Sequence, residues 1–447
     1  MTTSTAPVAA ELRGRVAGDV LVAGDAGYDS ARRVWNGAVD RSPAVVVRAA
    51  GEGDVVHAVR AARERGLPLS VRGGGHDWAG RAVRDGGLVV DLTRLREVTA
   101  DRYASTLGAQ GGATAGGVAA VADRHGLAAV LGTVKAVGAA GLTLGGGYGL
   151  LLGKHGLALD NLVDARVVLA DGRVAVAGED EDLLWALRGG GGNFGVVTRA
   201  TYRAHPLRAM TSGMVLFDLP QARSVLRGYR ELTAAAPDEL TVMTGFFAGP
   251  DGRALLYLLP AWSGNPSRGE QWARRLTSLG RPVSARVGQM SPLEVLGLLD
   301  AVVVDGRHTV AANRQLPEVG EEAAEVLVDA AARIPSPHSG VFVHHFHGAA
   351  ARVPVASTAF ALRRPHNLVE VVGTWEAGED GAAHRAWVER LSADLAPLSL
   401  AGGYQNLLAP EETERVRVAY GANASRLFAL KRRYDPENAF SAVPTLF

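Results

Sequence analysis

Three clusters of glycine constrain this 447-residue chain more than any other feature of its sequence. They fall within residues 72–80, 132–149 and 189–195. A loop without side chains can point its backbone N–H groups at a phosphate from close range. The clusters therefore predict a site for a dinucleotide-type ligand that carries a pyrophosphate.

The third cluster has the spacing of a dinucleotide-binding fingerprint but the wrong surroundings. Residues 190–195 have the sequence GGGNFG, which fits the pattern G-x-G-x-x-G. That fingerprint needs a strand before it and a helix after it. Here a predicted helix at 182–187 comes first, and a predicted strand at 195–202 follows. The reversed order disfavours a nicotinamide-dependent dehydrogenase and indicates a tight turn that can also line a ligand.

The second cluster combines glycine with apolar residues. Residues 138–149 contain six glycines together with Leu142, Leu144 and Tyr148. Such a segment is too rich in glycine for a stable helix and too apolar for a linker. We predict a buried loop laid against a flat cofactor, and a flexible hinge is the alternative explanation.

The first cluster places a histidine just beyond the end of a strand. Residues 69–71 predict a strand that runs directly into Arg72 and the three glycines before His76, and no helix follows. A histidine after three glycines is most simply an exposed loop residue. The alternative is that the glycines bring the backbone close to a phosphate and aim the imidazole at one fixed point.

Composition narrows the function classes. The length exceeds the usual single-domain range and predicts two domains. Lys and Arg number 47 against 46 Asp and Glu, so charge gives no case for a nucleic-acid or membrane partner. The absence of cysteine excludes disulfides, thiolate catalysis and cysteine-ligated metals. No apolar run approaches the ~20 residues that span a bilayer, and no secretion signal is evident. We therefore expect a cytoplasmic protein.

The pattern of the sequence changes near Pro206. Glycine clusters stop there, and longer predicted strands alternate with helices, as at 254–259, 341–347 and 368–372. This pattern predicts a separate α+β domain with an antiparallel sheet. The predicted organisation is a cofactor domain, a substrate domain and a returning C-terminal segment, at 1–209, 210–400 and 401–447.

Taken together, these segments resemble the flavoprotein family of vanillyl-alcohol oxidase and p-cresol methylhydroxylase (PCMH), in the branch of berberine bridge enzyme and bacterial hydroxynicotine oxidase. The resemblance covers nearly the whole chain. It rests on the segments Arg33-Val34-Trp35-Asn36, VRGGGHDWAG (71–80), GLTLGGGYGLLLGKHGLALDNLVDARVVLADG (141–172), DLLWALRGGGGNFGVVT (182–198), Tyr404-Gln405-Asn406 and LKRRYDPENAF (430–440). Motifs of this length in this order are highly specific.

The resemblance implies a fold and a cofactor. The fold class is α+β: a two-subdomain FAD-binding domain of the PCMH type, with an α+β substrate domain lying over the flavin ring. The C-terminal segment returns to the FAD-binding domain. In this family the histidine of the first glycine loop bonds covalently to the flavin ring methyl, and His76 is the matching residue.

The resemblance also implies which residues contact FAD. On the pyrophosphate side they are Arg72, Gly73, Gly74, Gly75 and Gly80. Along the isoalloxazine they are Gly132, Thr133, Val137, Gly138, Gly141, Gly145, Gly146, Tyr148 and Gly149. Towards the ribose and adenine they are Asp160, Asn161 and Val197, and the C-terminal segment adds Asn406.

Two positions bear on how the flavin is held and reoxidised. Some relatives carry a second flavin link through a cysteine near the position of Val134, and this chain has no cysteine. The link is therefore expected to be single. By alignment Val137 lies over the flavin, where a small residue admits dioxygen and favours an oxidase over a dehydrogenase.

The resemblance implies an oxidase mechanism in which a hydride moves to the flavin while a base takes a proton from the adjacent O–H or N–H. Dioxygen then reoxidises the flavin and leaves as hydrogen peroxide. Tyr404 matches a tyrosine that some sugar and polyketide oxidases of the family use.

A second source of the base is the strand at 341–347. Period-two alternation puts His345 and His347 on one face and His344 on the other, and we expect His345 or His347 to face the substrate. A structural role for each histidine competes with a catalytic one. Because His344 points away from the other two, we predict no metal site.

The substrate is expected to be a small secondary metabolite or a sugar, oxidised at an alcohol or amine carbon. Three alternatives remain: a flavin-dependent oxidative cyclase, a dehydrogenase of the same fold, and a protein whose FAD is mainly structural. The expected partners are a small-molecule substrate and dioxygen, with no nucleic acid and no membrane. Substrate identity, stereochemistry and oligomeric state are left open.

Overall fold

Three β-sheets organise the chain, which a computed structural model describes over residues 6–249 and 251–443. The first two sheets end with Pro206 and the third begins at Met210. The α+β class expected from the sequence is confirmed, and the predicted domain boundaries are compatible with this change of sheet. Within the described ranges, no helix is long and apolar enough to cross a membrane.

The first sheet is small and mostly parallel. Its strands are β1 (Asp19–Leu21), β2 (Val45–Arg48), β3 (Leu69–Arg72) and β4 (Leu88–Asp91). The order is β1-β2-β4-β3, with only β1 antiparallel to its neighbour. Three consecutive valines in β2 are fully buried, as is usual in parallel strands covered on both faces. Arg72 lies opposite Asp91 at the carboxyl edge, from which the loop to His76 leaves.

The second sheet centres on one long strand. Its strands are β5 (Val98–Asp101), β6 (Thr106–Gln110), β7 (Leu127–Ala129), β8 (Leu162–Val168), β9 (Val174–Val176) and β10 (Val196–Pro206). The order is β5-β6-β10-β8-β9, and β7 also pairs with β10. The hairpin predicted at Asp171-Gly172 joins β8 to β9, and Gly172 has a φ of +77°, which favours glycine.

The third sheet has seven antiparallel strands. They are β11 (Met210–Asp218), β12 (Leu240–Ala248), β13 (Ala254–Trp262), β14 (Ser284–Met290), β15 (His308–Leu316), β16 (Gly340–Phe346) and β17 (His366–Trp375). The order is β14-β11-β13-β12-β16-β17-β15. One face, which includes Val341, Val343 and Val369, packs against helices in a single apolar core. The opposite face is free to line a site.

Fifteen α-helices connect and cover the sheets in the described part of the chain. They are α1 (Ala6–Arg13), α2 (Tyr28–Arg32), α3 (Glu52–Glu64), α4 (Ala115–Arg124), α5 (Ala139–Gly145), α6 (Leu152–His155), α7 (Glu181–Leu187), α8 (Ala222–Ala234), α9 (Pro266–Thr277), α10 (Pro292–Leu296), α11 (Glu321–Ala331), α12 (Ala349–Arg352), α13 (Ala382–Leu395), α14 (Thr413–Tyr420) and α15 (Ala424–Tyr434). The third sheet's covered face packs on α8, α9, α11 and α13.

Helix α5 corrects the prediction of a loop throughout the second glycine cluster. Residues 139–145 are helical although the cluster is rich in glycine. The helix buries Ala139, Thr143 and Leu144, because tertiary packing of one face outweighs a poor helix propensity. Gly146 and Gly147, with φ values of +153° and +89°, end it and return the chain to an irregular path.

The C-terminal segment packs on the second sheet's core through Leu408, Tyr420 and Leu427, among others. A buried cation lies in α15, where Lys431 Nζ forms an ion pair with the Asp435 carboxylate. The same ammonium donates to the Asn193 carbonyl at 2.9 Å. The segment is therefore bonded directly to the third glycine cluster.

A buried ion pair ties α6 and the turn after it to the third-sheet side of the molecule. Both Asp160 oxygens accept hydrogen bonds from the Arg363 guanidinium, at 2.7 and 2.8 Å. The Arg363 side chain is only 2% exposed, and it also donates to Thr358 Oγ1. A bidentate pair removed from water in this way depends on both partners being present.

We expect Asp160→Ala to lower the free energy of unfolding by about 3–5 kcal/mol, because it leaves a buried guanidinium without its carboxylate. Urea unfolding of the purified protein measures the change. The matched control is Glu437→Ala, which breaks the solvent-exposed pair with Arg63 and should have little effect. Equal effects of the two substitutions would contradict this account of the ion pair.

Candidate active site

One cavity of about 380 Å³ brings the three glycine clusters together. The cluster residues that line it are Gly73, Gly74, Gly75, Gly132, Gly138, Gly141, Gly191, Gly192 and Gly195. The free face of the third sheet forms another wall with Phe342, His344, Leu368, Glu370 and Val372. The C-terminal segment contributes Tyr404, Asn406 and Phe440. The cavity therefore lies where the three parts of the chain meet.

Close backbone approach explains why two of the clusters need glycine. A Cβ atom added to Gly74 would lie 2.4 Å from the Gly138 backbone nitrogen, and one added to Gly138 would lie 2.5 Å from the Gly74 nitrogen. Both distances are far below van der Waals contact. The first and second clusters therefore touch backbone to backbone, and only glycine fits on either side.

The His76 side chain belongs to the cavity wall. Its Nε2 atom is buried and has no hydrogen-bond partner in the protein. Burial lowers the pKa of the imidazole below its ordinary value, so the ring is neutral at neutral pH. A neutral imidazole with an unoccupied nitrogen can act as a nucleophile.

Tyr404 is buried and its phenol oxygen accepts two hydrogen bonds. The donors are the Gly147 backbone N–H and the Asn406 side-chain amide, each at 2.8 Å. Burial raises the pKa of the phenol to about 12, and the two donated hydrogen bonds oppose that shift only in part. The Tyr404 backbone N–H donates to Asn313 Oδ1 at 2.9 Å, which fixes the residue over the third sheet.

His344 is the histidine of β16 that lines the cavity, and His345 and His347 do not. Period-two alternation separates them as predicted, but the face that we expected to meet the substrate is the wrong one. The rings of His345 and His347 stack on each other at 4.0 Å, away from the cavity. Burial lowers the pKa of His347 to about 4. Helices from other parts of the chain determine which face of β16 is covered. The sequence of β16 alone does not show which face that is.

The His344 ring faces a carboxylate on the neighbouring strand. Its Nε2 lies 3.5 Å from Glu370 Oε2, and both residues line the cavity. Sequence reasoning missed Glu370. The sequence did contain a signal for it, because this glutamate interrupts the apolar strand β17. A charged residue in a buried strand usually has a partner or a function.

The other residues that the resemblance implies divide into two groups. Besides the glycines, those that line the cavity are His76, Thr133, Val137, Tyr148, Val197, Tyr404 and Asn406. Those outside the lining are Arg72, Gly80, Gly145, Gly146, Gly149, Asp160 and Asn161.

Hydrogen bonds and packing account for most of the residues outside the lining. Asp160 is engaged by Arg363, and the Asn161 amide donates to the carbonyls of His155 and Leu157. Both side chains are thus engaged within the protein and neither lines the cavity, so their implied position beside the ribose and adenine stays a prediction. Arg72 Nη1 donates to the Ala31 carbonyl at 2.7 Å, so this guanidinium supports the loop from behind.

Two glycines outside the lining make room for the C-terminal segment. A Cβ atom added to Gly145 would lie 2.0 Å from Asn406 Oδ1, and one added to Gly146 would lie 2.6 Å from Tyr404 Cε2. These glycines therefore hold the Tyr404–Asn406 pair against the second cluster.

Comparison with known proteins agrees with this geometry. A model of the FAD binding domain matches residues 43–178, and a model described as berberine and berberine like matches residues 403–443. The (R)-6-hydroxynicotine oxidase of Paenarthrobacter nicotinovorans is 31% identical, over 95% of this chain and 95% of that protein. The chain belongs to the berberine bridge enzyme-like family of FAD-linked oxidoreductases. Membership makes it an FAD-dependent oxidoreductase.

Two solved structures of the family share the whole fold. The structure of 6-hydroxy-D-nicotine oxidase from Arthrobacter nicotinovorans matches with a TM-score of 0.86 at 30% identity, over 97% of this chain and 98% of that one. Berberine bridge enzyme from Eschscholzia californica matches with a TM-score of 0.87 at 20% identity, over 99% of both chains. The PCMH-type architecture predicted from the sequence is thereby confirmed.

The residues of the cavity fit FAD. The glycine clusters offer backbone surfaces on which no side chain intervenes, and His76 Nε2 is a buried polar atom in need of a partner.

We expect Gly74→Ala to lose most of its bound FAD and to be less stable by about 1–3 kcal/mol, because the new methyl group forces the first two clusters apart. Flavin absorbance per protein and thermal unfolding measure the two effects. Gly53→Ala is the control: it lies on α3, where an added Cβ meets nothing within 4 Å. Normal flavin content in Gly74→Ala would show that the cofactor does not depend on this contact.

Proposed function

We propose that the protein is an oxidase that removes a hydride from an alcohol or amine carbon of a small metabolite. The main support is that Tyr404, His344 and Glu370 share one cavity with the three glycine clusters. Bound FAD would accept the hydride from a substrate C–H bond and pass two electrons to dioxygen, giving hydrogen peroxide. The protein has to hold the cofactor, orient the substrate and take up one proton.

We infer that His76 holds FAD through a single covalent bond. The buried, neutral imidazole and its unpartnered Nε2 support this assignment. A second, cysteinyl bond is excluded because the chain has no cysteine. Covalent attachment would prevent loss of the cofactor, and the electron-withdrawing imidazole would make the flavin a stronger oxidant.

Tyr404 is suited to orient the substrate through a donated hydrogen bond. The Tyr404 oxygen already accepts two hydrogen bonds from N–H donors. The phenol can therefore still donate one hydrogen bond, through its own proton. With a pKa of about 12, the phenol keeps that proton through the whole neutral range. Tyr404 therefore binds the substrate oxygen or nitrogen, and another group has to accept the substrate proton.

The His344–Glu370 pair is the proposed acceptor. The carboxylate faces the imidazole at 3.5 Å and can hold it in one orientation. An imidazole can take up a proton and an adjacent carboxylate can stabilise the resulting charge, so the pair can accept the substrate proton during hydride transfer. Asn313, which positions the Tyr404 backbone, lies directly opposite Glu370 on β15.

The remaining walls favour a substrate with an apolar body over a sugar. The lining residues on this side are mostly aliphatic or aromatic, namely Met243, Leu299, Val302, Val303, Phe342 and Val372. A sugar ring needs several polar partners, whereas besides the His344–Glu370 pair the polar lining residues on this side are Thr309, His338 and Thr374. Val137 also lines the cavity, and its small side chain leaves dioxygen room to approach the cofactor.

A substrate screen with two readouts tests the proposed activity. Apolar amines, aromatic alcohols, phenolic terpenoids and oligosaccharides are mixed with the purified protein, and flavin bleaching without air and peroxide in air are followed. An oxidase bleaches with its substrate and then releases peroxide. Bleaching without peroxide would mean a dehydrogenase, and no bleaching with any compound would contradict a redox function.

With a substrate in hand, we expect Tyr404→Phe and Glu370→Gln each to slow flavin reduction by about 10²-fold or more. Because the Tyr404 pKa is raised to about 12, the phenol stays protonated, and the wild-type rate should not fall as pH rises to about 10. Stopped-flow reduction over that pH range measures both effects.

Tyr257→Phe is the matched control for this measurement. Tyr257 lies on the same sheet, its phenol is buried without a hydrogen-bond partner, and it does not line the cavity. Its replacement should leave the reduction rate unchanged. A loss in Tyr257→Phe as large as that in Tyr404→Phe would assign the effect to the sheet and not to the cavity.

A further inference from the structure

An indole ring lies flat against the imidazole of His76. The Trp35 and His76 rings stack with centroids 4.4 Å apart and planes inclined by 15°. Both rings line the cavity, and neither Trp35 Nε1 nor His76 Nε2 has a hydrogen-bond partner in the protein. These two nitrogens therefore contribute nothing to holding the pair of rings, which leaves their stacking as the contact between them.

The backbone of Trp35 is fixed on both sides. Its N–H donates to the Gly75 carbonyl, directly before His76, at 3.0 Å. Its carbonyl accepts a hydrogen bond from the Gly306 N–H at 3.0 Å. The Trp35 backbone is thus held between the histidine loop and the segment that leads into β15.

The next residue extends this attachment to the other side of the histidine. The Asn36 amide donates to the Trp78 carbonyl at 2.6 Å and to the Thr309 carbonyl at 2.8 Å. Asn36 Oδ1 accepts a hydrogen bond from the Thr309 N–H at 2.9 Å. The histidine loop is therefore bonded before and after His76 to one dipeptide, Trp35-Asn36, whose first side chain covers the imidazole.

This arrangement restricts the one motion that matters for bond formation. A histidine in a glycine-rich loop can rotate about two side-chain torsions, and most of the resulting orientations turn Nε2 away from the cavity. An indole stacked on one face allows rotation only within the plane of the rings. Burial also lowers the pKa of His76, so the ring stays neutral and one of its nitrogens keeps a free electron pair.

We propose that Trp35 is a positioning residue for covalent attachment of the flavin: by stacking on His76 it holds Nε2 towards the cofactor. The proposal rests on the proposed bond at His76. Attachment replaces one C–H bond of the flavin ring methyl and the imidazole N–H bond by one C–N bond. The two hydrogens and their two electrons pass to dioxygen, which becomes hydrogen peroxide.

The test compares how fast FAD becomes covalently attached to variants at position 35. Protein produced without flavin is incubated with FAD in air, and samples are precipitated with acid at intervals. Flavin in the pellet reports the covalent bond, and flavin absorbance before precipitation reports total binding. Trp35→Phe keeps a stacking ring, whereas Trp35→Leu keeps an apolar side chain without one.

We expect Trp35→Leu to bind FAD but to attach it about tenfold more slowly, which is the scale of one aromatic stack. Trp35→Phe should recover most of the wild-type rate. Trp375→Leu is the control, because it removes an indole that packs on another histidine, His384, outside the cavity lining, and it should attach FAD at the normal rate. Should Trp35→Leu fail to fold, Trp35→Met carries the same test.

Two outcomes would overturn the role of Trp35. The first is that Trp35→Leu attaches FAD at the wild-type rate. The second is that Trp35→Leu no longer binds FAD at all, so that the loss of attachment only reflects the loss of binding. The baseline is His76→Ala, which should release all its flavin into the acid supernatant. If the wild type also releases its flavin, the bond at His76 is absent and the proposed attachment fails before the question about Trp35 arises.

Discussion

The contact between two glycine backbones, at Gly74 and Gly138, is the constraint on which the cofactor site depends. It brings the loop after β3 against the chain that enters α5, two segments that follow strands of different sheets. That closeness sets the width of the cavity and the position from which His76 reaches it. A side chain on either residue would open the site between the two sheets.

The remaining walls are assembled around this contact from distant parts of the chain. The C-terminal segment places Tyr404 and Asn406 against Gly145 and Gly146, so the second cluster serves the cofactor on one side and the tyrosine on the other. The free face of the third sheet supplies the His344–Glu370 pair. Asp77 and Arg81 also line the cavity but pair with each other, which leaves the His344–Glu370 pair as the proposed acceptor of the substrate proton.

Local patterns predicted much of the fold, and non-local packing explains what they missed. Strand β2, with its consecutive valines, and the Asp171-Gly172 turn could be predicted because each is determined by a few neighbouring residues. Helix α5 was not, since burial of its apolar side outweighs its glycines. The motifs predicted His76 and Tyr404 as cavity residues, but alternation in β16 could not reveal which face the helices cover. The stack of Trp35 on His76 joins residues 41 positions apart and leaves no local trace.

The most direct test of the central claim is the mass of one peptide. Trypsin cleavage after Arg72 and Arg81 releases GGGHDWAGR, which contains His76 as its only histidine. We predict that this peptide carries the mass of FAD less two hydrogen atoms and that the His76→Ala peptide does not. Recovery of the wild-type peptide unmodified, with free FAD in solution, would contradict the covalent anchor on which the proposed function is built.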